Sequence, residues 1–407
     1  MIREIYRSKN IVIRCIPAEN NSKWVITFDN HSIGDGFDRE GFGQTFLVQQ
    51  NISAVHVLGR GDHWYQYEDI FVAAEIVRGA LAGAERRLAY GSSMGGYAAL
   101  RLATVIGANA VLALSPQWAV DPRLAPWETR WGQDARHIQW RKEFRGPLRC
   151  DCRPVLAFDP RLSSDLRHIS LIARDTPSIL VPVPYGGHPV STFLAEVGLL
   201  GTILKDVLNG SFSENSAAIE IRRKKSTSFV YLGTMAERQP AWRPRTAVNL
   251  ARLAATASPN ISLGTLSLAR VLTTAREYEQ ALALHHDIIA AMGRLPLYLV
   301  PFAETLLLSG RHAEAVAVAD EVVVALPNVA HLRSWCANIL WVTGARGQAI
   351  AEQKIAISLD PGDFDYRRKL FKYRMSAFRN WWRKRILSRW RGRASGPIGN
   401  ERASAER

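Results

Sequence analysis

Leu88-Ala89-Tyr90-Gly91-Ser92-Ser93-Met94-Gly95 is the stretch from which the rest of the chain can be read. The apolar run Leu88 to Tyr90 has strand character, and Gly96 to Val105 is compatible with a helix. Between them stands G-x-S-x-G. A serine on a sharp strand-to-helix turn sits in a strained backbone conformation, so residues without side chains are needed beside it. The helix that starts there brings unpaired N–H groups and the positive end of its dipole close to the hydroxyl. The spacing predicts an accessible, nucleophilic Ser93.

Strand-like runs on either side fall at 11–16, 24–28, 54–58, 87–90, 110–114, 155–158 and 179–183. Helical runs such as 69–84 and 190–208 separate several of them. This alternation predicts an α/β fold, a mostly parallel sheet covered by helices. Downstream of the serine, Pro154 to Phe158 is a short buried-strand pattern ending in Asp159-Pro160. Ser178 to Pro184 is another, followed by Tyr185-Gly186-Gly187-His188. The chain order is therefore Ser93, Asp159, His188.

With this order, residues from about 10 to 210 resemble the α/β-hydrolase superfamily of serine hydrolases. The resemblance implies a role for each residue. Ser93 is a poor nucleophile without a base. His188 takes its proton and later delivers it to the leaving group. Asp159 holds the imidazole tautomer, with Asp165 as its rival six residues on. The backbone N–H of Met94 is one oxyanion donor. The second should follow the 24–28 strand, at Asn30 or His31; the HGGG motif of lipases is missing from Asp29-Asn30-His31-Ser32-Ile33-Gly34. His31, His56, His63, His137 and His168 compete for the base, but only His188 follows the last strand pattern in a glycine-rich loop.

Ser115 to Arg153 lies where such enzymes insert a lid, and it holds Trp118, Trp127, Trp131 and Trp140. A second aromatic cluster, His63-Trp64-Tyr65-Gln66-Tyr67, follows the 54–58 strand. Both belong to loops at the sheet end where ligands bind. Trp64, Tyr65 and Trp118 are the candidates for a substrate pocket, by stacking on a sugar ring or lining an acyl site. The alternative is that these aromatics form the lid's own small core.

Beyond the sheet a repeat emerges. Ala281, Ala315 and Ala349 are 34 residues apart, as are Ala269, Ala303 and Ala337, and Leu272, Leu306 and Leu340. Pro327 and Pro361 close two units; Ala247 and Pro259 continue the phase backwards, and Gly293 stands where another proline is expected. Small residues at two helix positions let paired helices approach, and proline ends the second helix. The segment resembles tetratricopeptide repeats, about three units over Ser262 to Gly362 with a degenerate fourth from near Ser228. The resemblance implies a protein partner. The division expected is a hydrolase domain over 1–208, a linker over 209–227, repeats over 228–365, a basic amphipathic helix over 366–393 and a disordered tail over 394–407.

The 407 residues carry a net charge of +15, concentrated at the end. From Arg367 to Arg393 no acid interrupts the basic residues, and Phe371, Met375, Phe378, Trp382, Ile386 and Trp390 recur at helical spacing. That pattern suits an anionic membrane surface, or equally a capping helix whose aromatic face packs while its charges stay solvated. No recognised motif supports nucleic acid. Four cysteines, with Cys150 and Cys152 one residue apart, suggest neither a disulfide framework nor a zinc site, and no metal or other cofactor is expected. No signal-peptide pattern and no run of eighteen apolar residues occurs, so the expected place is the cytoplasm, freely soluble or peripheral at the inner membrane. The function implied is hydrolysis or transfer of an acyl ester, on a small molecule or a glycan, through an acyl-serine intermediate. The alternative is a catalytically inactive binding module, or a scaffold at the inner membrane such as one in surface-polysaccharide assembly.

Overall fold

The computed structural model describes residues 2–19, 21–258 and 263–376. The chain forms two compact units, Met1–Gly293 and Arg294–Arg407. The first opens with β1 (Arg3–Arg7), β2 (Ile11–Ile16) and β3 (Lys23–Phe28). Next come α1 (Gln44–Gln49), β4 (Ser53–Gly59), α2 (Ile70–Ala80), β5 (Arg86–Ser92), α3 (Met94–Leu102) and β6 (Ala110–Leu114). Then come α4 (Gly132–His137), β7 (Val155–Phe158), α5 (Ser163–Asp175) and β8 (Ile179–Pro182). Only helices follow: α6 (Ser191–Glu196), α7 (Leu200–Asn209), α8 (Glu214–Lys224), α9 (Phe229–Glu237), α10 (Pro244–Ala257), α11 (Leu263–Thr274) and α12 (Tyr278–Met292).

The strands make one eight-stranded mixed sheet in the order β1-β2-β4-β3-β5-β6-β7-β8. β2 runs antiparallel to both of its neighbours, and the pairs from β4 to β8 are parallel. Period-2 alternation divides the core between the two faces. Ile26, Phe28, Val57, Ala89, Leu156 and Phe158 join one apolar cluster. Val25, Ala54, Leu88, Tyr90, Val155 and Ala157 join the other. Parallel strands end at a common edge, so register brings the residues after β3, β5, β6 and β7 together. Phe28 pairs with Gly91, Ser92 with Leu114, and Leu114 with Ala157. Asp29, Ser93, Ser115 and Asp159 therefore follow strand ends along one rim, where open α/β sheets bind ligands.

Two expectations change. β1 was not foreseen: Arg3-Glu4-Ile5-Tyr6-Arg7 is a largely exposed, charged edge strand without a continuous apolar signal. The stretch 209–227 is not a linker. Ser213 caps α8 by accepting the Ser216 N–H, and Ala217 and Ile221, four residues apart on one helix face, are buried in the second cluster. Next to it, Glu196 accepts hydrogen bonds from the Ser228 hydroxyl and the Phe229 N–H. The helices after the sheet therefore pack with it, and the chain divides after Gly293 instead.

The second unit is all-helical: α13 (Pro296–Leu308), α14 (His312–Ala325), α15 (Ala330–Val342) and α16 (Arg346–Leu359). Ala303, Ala315, Ala337 and Ala349, the small residues of the period, are fully buried, and Leu306 and Leu340 lie beside them in the core. Pro327 follows the end of α14 and Pro361 the end of α16. This is a helical repeat region resembling tetratricopeptide folds. Residues 364–376 are helical again. Tyr373 stacks on Trp341 at 4.2 Å, and the Lys369 ammonium donates to the Ser334 carbonyl. The start of the basic segment thus packs as a cap. The rest of it, 377–393, the tail 394–407 and Pro259 lie outside the described residues. Among the described residues no helix is long and apolar enough to cross a membrane.

Candidate active site

Ser93 sits between β5 and α3 at φ 52°, ψ −115°, the strained turn that the sequence predicts. Its two glycines are required by close approach. A Cβ on Gly95 would collide with the Phe28 carbonyl oxygen, and one on Gly91 with the Gly95 backbone. Met94 is the first residue of α3, so its N–H has no partner in the helix's own ladder. Asn30, the other expected donor, is exposed just past β3, where its side chain donates to the His31 carbonyl. The N–H of the residue before it, Asp29, is taken by the Tyr65 hydroxyl.

The Ser93 hydroxyl oxygen lies 3.0 Å from His188 Nε2. His188 Nδ1 lies 2.8 Å from Asp165 Oδ2. An ionised carboxylate only accepts, so Nδ1 carries the ring hydrogen and the neutral ring offers its lone pair at Nε2 to the serine. Asp165 is buried at the start of α5. Burial alone would raise its pKa, but the His188 hydrogen bond and the charge and hydrogen bond of Arg130 oppose this, and the carboxyl is held below its usual range. Arg130 donates to the other Asp165 oxygen at 2.6 Å and to Glu128. Burial likewise opposes ionisation of Glu128, yet bonds from His168 and Arg130 bring its pKa to about 2.

Asp159, the acid expected from the sequence, faces elsewhere. Its Oδ1 accepts the N–H groups of Arg161 and Tyr185, and its Oδ2 those of Gly187 and the Arg238 side chain. It anchors the loop that carries His188, while the rival Asp165 meets the ring. Three of the other histidines are held by other partners. His56 is buried against Thr27, and burial lowers its pKa to about 4. His168 is held by Glu128 and the Trp118 N–H. His31 pairs with Asp134. Among the described residues, His188 is the histidine bonded to Ser93.

Trp64 and Tyr65 do not line an open pocket. Both are fully buried at positive φ, and their polar atoms are used internally. The Tyr65 hydroxyl donates to the Val57 carbonyl. The Trp64 indole N–H donates to Gln117 Oε1 at 3.2 Å, which turns the Gln117 amide nitrogen toward Ser93 Oγ, 3.0 Å away. Trp118 packs against the core, its indole N–H on Asp175. From the lid stretch it is Trp131 that comes close, with its ring 5.4 Å from His188 and 5.7 Å from Trp64. Gln117, Arg130 and Arg238 were missed by sequence reasoning. Gln117 had one available signal: it lies three residues past the end of β6, on the same rim as Ser93. Among the described residues no group of three His, Cys, Asp or Glu side chains is arranged to hold a metal.

No family model matches this chain, and no curated protein sequence matches it at a significant level. Partial likeness to solved structures exists. The capsule O-acetyltransferase of Neisseria meningitidis serogroup A is 14% identical, over 50% of this chain and 94% of that one, with a TM-score of 0.35. A thermophilic TPR protein from Thermus thermophilus is 19% identical, over 43% and 98%, with a TM-score of 0.34. YrrB, a TPR protein with an unusual peptide-binding site, is 16% identical over 42% and 87%, at 0.30.

Proposed function

We propose that this chain is an α/β-hydrolase-type serine enzyme that cleaves or transfers an acyl ester through an acyl-Ser93 intermediate. The observation that carries this is the relay from Ser93 Oγ to His188 Nε2 at 3.0 Å and from His188 Nδ1 to Asp165 at 2.8 Å. The fold supports it: the serine follows β5, the acid follows β7 and the histidine follows β8, the chain order of α/β-hydrolases. In this reading Ser93 attacks the ester carbonyl while His188 accepts its proton. Asp165 stabilises the imidazolium, and Arg130 holds Asp165 in place. The Met94 N–H, with that of Asn30 as second donor, faces the developing oxyanion. Gln117 donates to the serine oxygen, which directs the hydroxyl hydrogen to His188 and steadies the oxygen when it leaves in deacylation. His188 then returns the proton to the departing alcohol and activates the incoming water or acceptor alcohol.

The helical repeats are proposed to bind a protein partner, and the basic segment beyond 366 to meet an anionic membrane surface. The complete relay argues against an inactive scaffold. Turnover of short-chain p-nitrophenyl esters by the full chain, lost in Ser93→Ala with the fold retained, tests the proposal. Equal turnover by that variant would refute it.

A further inference from the structure

Beside His188 lies a cavity of about 420 Å³ within the first unit. The His188 loop forms one side, and α9 and α11 form the facing wall. Among the described residues three guanidinium groups line it, Arg130, Arg238 and Arg270, against a single carboxylate, Glu237. The acids that balance Arg130 and Arg238 are buried and do not line the cavity: Asp165 and Asp159. Arg130 is committed, with hydrogen bonds to both Glu128 and Asp165. The other two are not. Arg238 gives Asp159 one hydrogen bond at 3.3 Å, and its side chain remains 28% exposed. Arg270 approaches Glu237 only at 3.9 Å, beyond hydrogen-bond distance, and is 45% exposed. A guanidinium carries five N–H donors in a planar fork that matches a carboxylate or a phosphate. Two such groups with donors to offer, next to the general base, form a site for a negative charge.

We propose that this cavity is a substrate subsite for an anionic group, a carboxylate or a phosphate, bound by Arg238 and Arg270. This rests on the reading of Ser93 and His188 as the reacting pair. It also gives the first helices after the sheet a role, since α9 and α11 supply the charged wall of the substrate cleft. The enzyme then prefers esters whose acyl or alcohol part carries a negative charge near the reacting carbonyl.

The test uses the full chain carrying Ser93→Ala, titrated calorimetrically at fixed ionic strength with succinate and, separately, inorganic phosphate. The expected result is binding of at least one probe, and which one binds distinguishes the carboxylate from the phosphate. Arg270→Gln and Arg238→Gln should each weaken it about ten-fold, the loss of one charge-assisted contact. Glu237→Gln should tighten it, and this variant keeps the test decisive should an arginine variant fail to fold. In the active protein, the ratio of kcat/KM for p-nitrophenyl hemisuccinate to that for p-nitrophenyl acetate should fall in Arg270→Gln. Absence of binding by both probes, or binding indifferent to all three substitutions, overturns the subsite. Ester turnover without anion binding would sink the subsite and leave the serine reading standing. Anion binding without turnover would do the reverse.

Discussion

Replacing Asp165 with asparagine removes one acceptor from a site that needs two. In the native protein, Arg130 donates to Oδ1 at 2.6 Å while His188 donates to Oδ2 at 2.8 Å. Asparagine has one carbonyl oxygen and one NH2 group. Arg130 cannot accept a hydrogen bond, so it claims the oxygen, and the NH2 turns to His188 Nδ1. The ring hydrogen then moves to Nε2, which faces Ser93, and the base loses its lone pair there. The same tautomer error in a serine-protease triad costs about 10⁴ in kcat, which corresponds to about 5 kcal/mol of barrier. Asp159→Asn acts differently. Its one remaining oxygen can serve only one pair of donors, so either the Arg161 and Tyr185 N–H groups or the Gly187 N–H and Arg238 lose their acceptor, a stability loss of about 1–3 kcal/mol. The loosened His188 loop should cost at most about a hundred-fold in rate, the size expected of a misplacement near 1 Å. Steady-state hydrolysis of p-nitrophenyl acetate together with thermal unfolding of each variant separates the two. The reasoning is refuted if Asp159→Asn abolishes turnover while Asp165→Asn remains within ten-fold of the native rate.

Gln117→Leu removes the donor to Ser93 and strands the Trp64 indole N–H, so single-turnover acylation should slow by about ten- to a hundred-fold; an unchanged rate would remove Gln117 from the mechanism. The depressed pKa of Glu128, about 2, makes stability that is fully present above its unfolded pKa and lost as pH falls through about 2. The native protein's lead over Glu128→Gln should therefore shrink as pH falls from about 4 to about 2 in urea titrations, and a pH-independent gap would contradict the network. A chain ending at Gly293 should fold and turn over ester, whereas one ending at Leu208 loses Ala217, Ile221 and the Arg238 contact to Asp159, and should aggregate or lose most of its activity. Equal activity of the two would restore an independent domain ending at 208.

Local pattern carried the sequence reading wherever chemistry and chain geometry coincide. Ser93 was legible because its turn needs Gly91 and Gly95, and steric demand leaves a trace in sequence. His188 was legible because a loop after the last strand must end on the sheet's carboxyl edge. The acid was not. Asp159 ends a strand and looks the part, but its carboxylate turns to four N–H donors, two of them in the His188 loop. Asp165, at the head of α5, reads in sequence as an ordinary first-turn helix acid; only its contacts with Arg130 and His188 tell the two apart. Arg238 reaches Asp159 from 79 residues away, a pairing that no local window contains. The supposed linker failed for a related reason: of the apolar residues in its helix, Ala217, Ala218, Ile219 and Ile221, only Ala217 and Ile221 are buried and Ile219 stays exposed, so the apolar residues mark no single face that would signal a packed helix.

The most direct test of the central claim is labelling of the full chain with a fluorophosphonate, followed by peptide mapping of the adduct. The account predicts one covalent adduct on Ser93, absent in Ser93→Ala and formed far more slowly in His188→Ala. A folded native protein that takes no label, or takes it on another residue, would contradict it.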